Sequence, residues 1–399
     1  MSVWIMWFFK SDKEAKKTEP SLSLDKDELS KKLYEAVYKD LLQEESASDA
    51  RVKELILWHA NELAKNYNLS LDKLLRLEEK LFNKLRRFDI LQPLLEDKSI
   101  SEIMVNGENL IFYERAGRIY KSDLAFKSKE ELSNLIISFF SRHNAKLSLS
   151  TPMADLRLED GSRLNAVIPP IAPDGPILTI RKFTGIRPDI KALIDSKFLS
   201  KDLALFLKDL VINKQAIMIG GGTSTGKTTL LNVLSAFIPP AERIVSIEDS
   251  PELQLQNKDN WVRLITREDK LNKNNNINMN DLIRNSLRMR PDRIIIGEVR
   301  GKEAYSMLQA MQTGHPGSLC TIHANDIHSM LTRLAILIYN ASGLDYDLIL
   351  KTIASSFDYL IYIKRDREGF RYLDELAKLD ASTADLYQLE SLYKYEKDH

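Results

Sequence analysis

The chain has 399 residues, enough for two or three domains and a large buried core. Lys and Arg total 57, as do Asp and Glu, so the formal net charge is zero, which argues against a bulk electrostatic grip on nucleic acid and leaves only local patches. A single cysteine, Cys320, excludes a disulfide framework and fits a reducing, cytoplasmic setting.

The chain opens on an apolar heptapeptide, V-W-I-M-W-F-F at 3–9, which lacks the positive flank of a signal peptide. It reads either as an interfacial foot, with Trp4 and Trp7 at headgroup level, or as a disordered or partner-binding tail. No stretch reaches the roughly 18 apolar residues of a spanning helix. Residues 10–22 are rich in Lys, Glu and Ser and read as disordered, so 1–22 stand apart. Apolar residues spaced by three and four then predict three amphipathic helices, a bundle over 23–89. Their faces carry Leu29, Leu33, Val37 and Leu41; Val52, Leu55, Ile56 and Leu63; and Leu74, Leu77, Leu81, Phe82, Leu85 and Phe88. His59 falls on the apolar side of the second and is expected to pack in its core.

Short strands follow. They are expected at 102–106, 110–113, 119–120, 153–158, 164–168 and 177–183, with a helix at 130–143. Asp160-Gly161 between two of them is a hairpin turn signal. This α+β region spans 90–183, and Gly185 and Pro188 mark a linker over 184–190. From 191 to 399 strands and helices alternate, which predicts a parallel sheet with helices on both faces. Strands are expected at 215–220, 243–248, 261–266, 293–297 and 318–323. Helices are expected at 228–237, 279–289, 302–312 and 327–338. A helix at 346–356 precedes strands 358–364 and 369–378, and the last twenty residues carry little signal.

Between the first of those strands and its helix lies G-G-T-S-T-G-K-T, a full match to the phosphate-loop pattern G-x-x-x-x-G-K-[ST]. Its residues are Gly221, Gly222, Thr223, Ser224, Thr225, Gly226, Lys227 and Thr228, with Thr229 next. Backbone N–H groups of such a loop cradle phosphate oxygens at the start of the following helix. Lys227 can reach the β and γ phosphates, and the Thr228 hydroxyl can ligate Mg2+, so ATP and Mg2+ are the expected ligands. By composition alone the four fixed positions coincide in about one chain in a hundred of this length, and strand–loop–helix context makes chance rarer.

Three other strand ends should converge on the loop, because α/β sheets carry their sites at the carboxyl ends of strands. They bring Glu248, Glu298 and His323. Glu298 is the expected base or orienting group for the attacking water. Glu248 would share that task or, like Glu298, hold Mg2+ through water, and His323 would report on the γ-phosphate. Arg300 reads as a structural ion-pair partner and is left outside the catalytic set.

Ordered motifs now resemble those of the type II/type IV secretion superfamily ATPases, and most of all the tight-adherence (Tad) pilus ATPases of the CpaF type. They are L-Q-P-L-L-E-D at 91–97, S-E-I-M-V-N-G at 101–107, D-G-S-R-L-N-A-V-I-P-P at 160–170 and T-I-R-K-F at 179–183. After the phosphate loop come S-I-E-D-S-P-E-L at 246–253, L-R-M-R-P-D-R-I-I-I-G-E-V-R-G at 287–301 and T-G-H-P-G-S-L-C-T-I-H-A-N at 313–325. Gly297 stands where most phosphate-loop enzymes carry a magnesium-binding Asp, a substitution the superfamily shares. The Asn-rich segment 272–278 departs from the family pattern, and the four-cysteine zinc module of some members is absent.

The resemblance implies a RecA-like ATPase domain behind an α+β N-terminal domain, assembled into a hexameric ring with ATP between subunits. It implies catalytic roles for Arg163 and Arg181, directed at the phosphates, and nucleotide contacts for Arg284 and Arg288. It also implies a cytoplasmic motor, peripheral at the inner membrane face, that acts on an inner-membrane platform protein to assemble a pilus. Type IV secretion of DNA or protein and an archaellum motor are close alternatives. A nucleic-acid-directed RecA-like ATPase is a different class, which the zero net charge disfavours, and no sequence-specific nucleic acid is expected.

Overall fold

Helices α1 (Lys26–Leu41), α2 (Asp49–Tyr67) and α3 (Leu71–Arg86) open the computed structural model. It describes residues 26–44, 47–67, 69–183, 188–255, 258–267, 275–381 and 386–396. The apolar heptapeptide, the 10–22 tail, residues 184–187 of the linker and 272–274 of the Asn-rich segment lie outside the described residues. The three helices bury Leu33, Val37, Ile56, Leu81 and Phe82 against one another, the faces their spacing set. His59 differs from expectation: its Nε2 lies 2.8 Å from Asp40 Oδ2, so a carboxylate on the neighbouring helix fixes the ring.

After α4 (Gln92–Glu96) come β1 (Ile100–Asn106), β2 (Ile111–Arg115), β3 (Arg118–Lys121), α5 (Lys129–Arg142), β4 (Met153–Arg157), β5 (Arg163–Val167) and β6 (Ile177–Arg181). The strands form a sheet in the order β3-β2-β1-β6-β5-β4. Alternate residues Ile103, Val105, Leu164, Ala166, Leu178 and Ile180 turn inward onto Leu132, Ile136 and Phe140 of α5. The β4–β5 hairpin turns at Gly161, whose φ of 93° suits a residue without a β-carbon. The chain separates into two units: one runs through Lys182 except for Ala116–Arg118, which group with the other, beginning at Phe183.

The second unit contains α6 (Ile190–Asp195), α7 (Lys201–Ile212), β7 (Ile217–Gly221), α8 (Lys227–Ser235), β8 (Ile244–Glu248), β9 (Trp261–Ile265) and α9 (Met279–Ser286). It continues with β10 (Arg293–Val299), α10 (Glu303–Gln312), β11 (Leu319–His323), α11 (Ile327–Ser342), α12 (Tyr346–Ala354), β12 (Tyr359–Arg365), β13 (Arg371–Asp380) and β14 (Gln388–Lys394). The sheet order is β14-β13-β12-β7-β11-β10-β8-β9. Strands β12 to β9 in that order are parallel, and β13 and β14 add an antiparallel edge. Two of these helices, α6 and α7, and the strand β14 have no counterpart in the sequence reading.

Both faces of the sheet's centre are covered, which is why β7, β8, β10 and β11 are apolar runs rather than alternating ones. Met218, Ile294, Ile296, Cys320 and Ile322 pack with residues of α9, α10, α11 and α12. Their neighbours Ile217, Ile219, Ile295 and Leu319 point the other way, onto α6, α7 and α8. At the amino-terminal edge of β10 the Arg293 side chain is fully buried. It pairs with Glu242 at 2.6 Å and donates to the carbonyls of Val211 at 2.8 Å and Gly317 at 3.1 Å. Among the described residues no helix is long and apolar enough to cross a membrane.

Candidate nucleotide site

The phosphate loop joins the end of β7 to the start of α8. It turns on two left-handed residues, Ser224 at φ 57° and Gly226 at φ 101°. A β-carbon on Gly221 would stand 2.6 Å from Thr225 Oγ1 and 2.7 Å from the Ile363 carbonyl oxygen, so the position admits only glycine. Thr225 Oγ1 donates to the Gly222 carbonyl at 3.0 Å. Lys227 is buried, and its ammonium donates to the carbonyls of Gly221 at 3.1 Å and Gly222 at 2.8 Å. Thr223 is exposed, while Thr228 and Thr229 are half-buried in the first turn of α8. That turn leaves backbone N–H groups without helical partners, and the helix dipole adds positive character there.

The strand order β7-β11-β10-β8 sets the remaining candidates side by side. His323 is in register with Gly221. Its Nε2 lies 3.6 Å from Glu298 Oε1, and Glu298 Oε2 accepts from Arg300 Nη2 at 2.6 Å. Thr321 Oγ1 donates to the Gly297 carbonyl at 2.6 Å and ties β11 to β10 just before that glutamate. Glu248 ends β8, next to β10. A β-carbon on Gly297 would come within 3.1 Å of Glu248 Cγ. A side chain at 297 would therefore crowd Glu248, which would have to give by a few tenths of an ångström.

Electrostatics separates the two carboxylates. Burial pushes Glu298 up, but the hydrogen bond and charge of Arg300, with the charges of Lys227 and His323, outweigh it and hold the group below its ordinary value. Burial dominates at Glu248 and raises it, although Oε1 accepts from the N–H groups of Leu253 at 2.8 Å and Glu252 at 2.9 Å. His323 is lowered, by burial first and then by Lys227, so its ring is neutral near pH 7.

The site fits a hydrated cation. Glu248 Oε2 and Glu298 Oε1 are buried atoms with no hydrogen-bond partner, acceptors suited to cation-bound water. Among the described residues no group of three His, Cys, Asp or Glu could hold a metal unaided. Magnesium bound chiefly by phosphates, the Thr228 hydroxyl and water matches that chemistry.

Of the four arginines, Arg163 and Arg181 belong to the first unit and Arg284 and Arg288 to the second. Arg163 and Arg181 are cross-strand partners on β5 and β6 of the first unit, and Arg157 faces Arg163 from β4. Arg284 and Arg288 are exposed on α9 and just beyond it; Arg288 Nη1 donates to the Arg284 carbonyl at 3.4 Å. Neither makes a hydrogen bond or ion pair with the phosphate loop among the described residues. Arg300, read from the sequence as an ion-pair partner, is one: just beyond the end of β10 it pairs with Glu298.

A phosphate loop at the carboxyl edge of a parallel, doubly covered sheet defines a RecA-like P-loop fold. The ATPase DotB of Legionella pneumophila shares it at 21% identity and a TM-score of 0.51, over 72% of this chain and 78% of that one. The chain matches the type II/IV secretion system protein family over residues 84–364 and belongs to it. It is 31% identical to the type IV secretion system protein PtlH of Bordetella pertussis, over 69% of this chain and 88% of that protein. It is 40% identical to an uncharacterized protein of Methanocaldococcus jannaschii, over 63% of this chain, but spans only 36% of that longer relative.

Proposed function

We propose that this protein is an ATP-hydrolysing motor of a secretion machine. The observation that carries the reading is the meeting of Lys227, Glu298 and His323 beside an intact phosphate loop, with Glu248 one strand away. Lys227 leaves the carbonyls of Gly221 and Gly222 for the β and γ phosphates. Glu298, held ionised, is a weak proton acceptor, so its work is to orient the attacking water and to polarise it. Neutral His323 donates toward the γ-phosphate and distinguishes ATP from ADP. Thr228 and, through water, Glu248 would hold Mg2+, which would supply charge neutralisation at the phosphate oxygens. Arg163, Arg181, Arg284 and Arg288 supply positive charge to the transferred phosphoryl group where subunits meet in a hexameric ring.

The ring works in the cytoplasm, peripheral to the membrane, on a platform protein of the secretion apparatus. Likeness to PtlH supports type IV secretion as the setting. A second reading, assembly of a tight-adherence pilus, is favoured by S-E-I-M-V-N-G at 101–107 and the three-helix extension before it. Phosphate release from ATP measured across protein concentration tests the common core. Specific activity should rise and then level as rings form; a constant value over a range where the protein goes from monomer to oligomer would refute a site shared between subunits.

A further inference from the structure

Arg371, the first residue of β13, reaches the phosphate loop from outside it. Its Nε donates to the Ser224 carbonyl at 2.9 Å. The side chain is half-buried, and a β-carbon on Gly226 would lie 3.9 Å from Arg371 Cδ, so its stem runs along the loop's second left-handed residue. Its strand is two away from β7, with β12 between them. The family match ends at 364, so this contact comes from the antiparallel edge beyond the matched region.

The contact falls where the loop needs support. Ser224 has a β-carbon and φ 57°, a conformation that persists only when its surroundings hold it. When Lys227 turns to the phosphates it gives up its bonds to Gly221 and Gly222, whereas the Ser224 carbonyl points to Arg371 and away from that exchange. We infer that Arg371 is a positioning residue: by holding the Ser224 carbonyl it keeps the phosphate loop in the turn that receives nucleotide, and it links the β13–β14 edge to the occupancy of the site. This rests on the nucleotide reading above.

Arg371→Met keeps the stem and removes the donor. Affinity for a fluorescent ATP analogue should fall about tenfold, the lower end of what a charge-assisted hydrogen bond contributes, while kcat stays within about twofold. Arg371→Lys should recover most of the loss. In nucleotide-free protein, amide exchange of the 222–228 segment should speed up in Arg371→Met, while that of β7 stays as in the wild type. A folded Arg371→Met with wild-type affinity and wild-type loop exchange overturns the inference and leaves the nucleotide reading intact. Wild-type protein that binds no ATP analogue removes both. If Arg371→Met does not fold, Arg371→Gln is read by the same two measurements.

Discussion

In the proposed cycle the pair Glu298 and Arg300 sets the pH range of turnover. Burial alone would raise the carboxyl; Arg300, at 2.6 Å, opposes it most, and with the charges of Lys227 and His323 holds the group below its ordinary value of 4.5. Its ionised form favours the folded state above about pH 4.5, and that contribution fades as pH falls through the lowered folded value. Arg300→Gln removes the largest opposing interaction and leaves only the charges of Lys227 and His323 against burial. The acid limb of the kcat–pH profile should then move upward, and an unmoved limb would show that Arg300 does not tune Glu298. Gly221→Ala places a methyl group against Thr225 Oγ1 and the Ile363 carbonyl, and Ile363 is fixed in β12. Overpacking of this kind costs about 1–3 kcal/mol, and nucleotide affinity should fall with it in a direct binding titration.

At the scale of elements, Arg293 ties the start of β10 to the end of α7 and to the turn before β11. Arg293→Ala takes the donor from two buried carbonyls and leaves Glu242 with Lys214, at 3.7 Å, as its remaining ion-pair partner, so it should cost about 3–5 kcal/mol in a denaturant titration. A loss below 1 kcal/mol, well short of that range, would mean that solvent reaches Glu242 when Arg293 is gone.

The same scale shows what was legible in the sequence. The buried parallel strands were, because a run such as Ile294-Ile295-Ile296 serves two cores at once and needs no alternation. The carboxylates that end such runs were legible for the same reason. Helix α7 was missed although Leu203, Leu207, Leu210 and Val211 share a face and the Ser200 hydroxyl caps it, accepting from the Leu203 N–H at 3.2 Å. Strand β14 is mostly exposed, so no burial imposed a pattern on its residues. Arg371 was out of reach for another reason: its partner, Ser224, is 147 residues away, and only the sheet order joins them.

For the whole molecule, the two units would do complementary work in the proposed ring. The second carries the phosphate loop, and the first carries Arg163 and Arg181 on adjacent strands. Arg181→Ala should leave melting temperature and nucleotide affinity near wild type and cut turnover about 100-fold or more, the scale of one lost charge-stabilising donor; normal turnover would remove Arg181 from the mechanism. With zero net charge, duplex DNA should not stimulate phosphate release, and strong stimulation at physiological salt would favour a nucleic-acid-directed ATPase.

The most direct test of a hydrolytic motor centred on Glu298 is steady-state phosphate release by wild type and Glu298→Gln under conditions where both bind ATP. The account predicts release by the wild type and a rate lower by about 100-fold or more in the variant, the size of effect of losing one preorganised polar group at the reacting centre. Equal rates in the two proteins would contradict it.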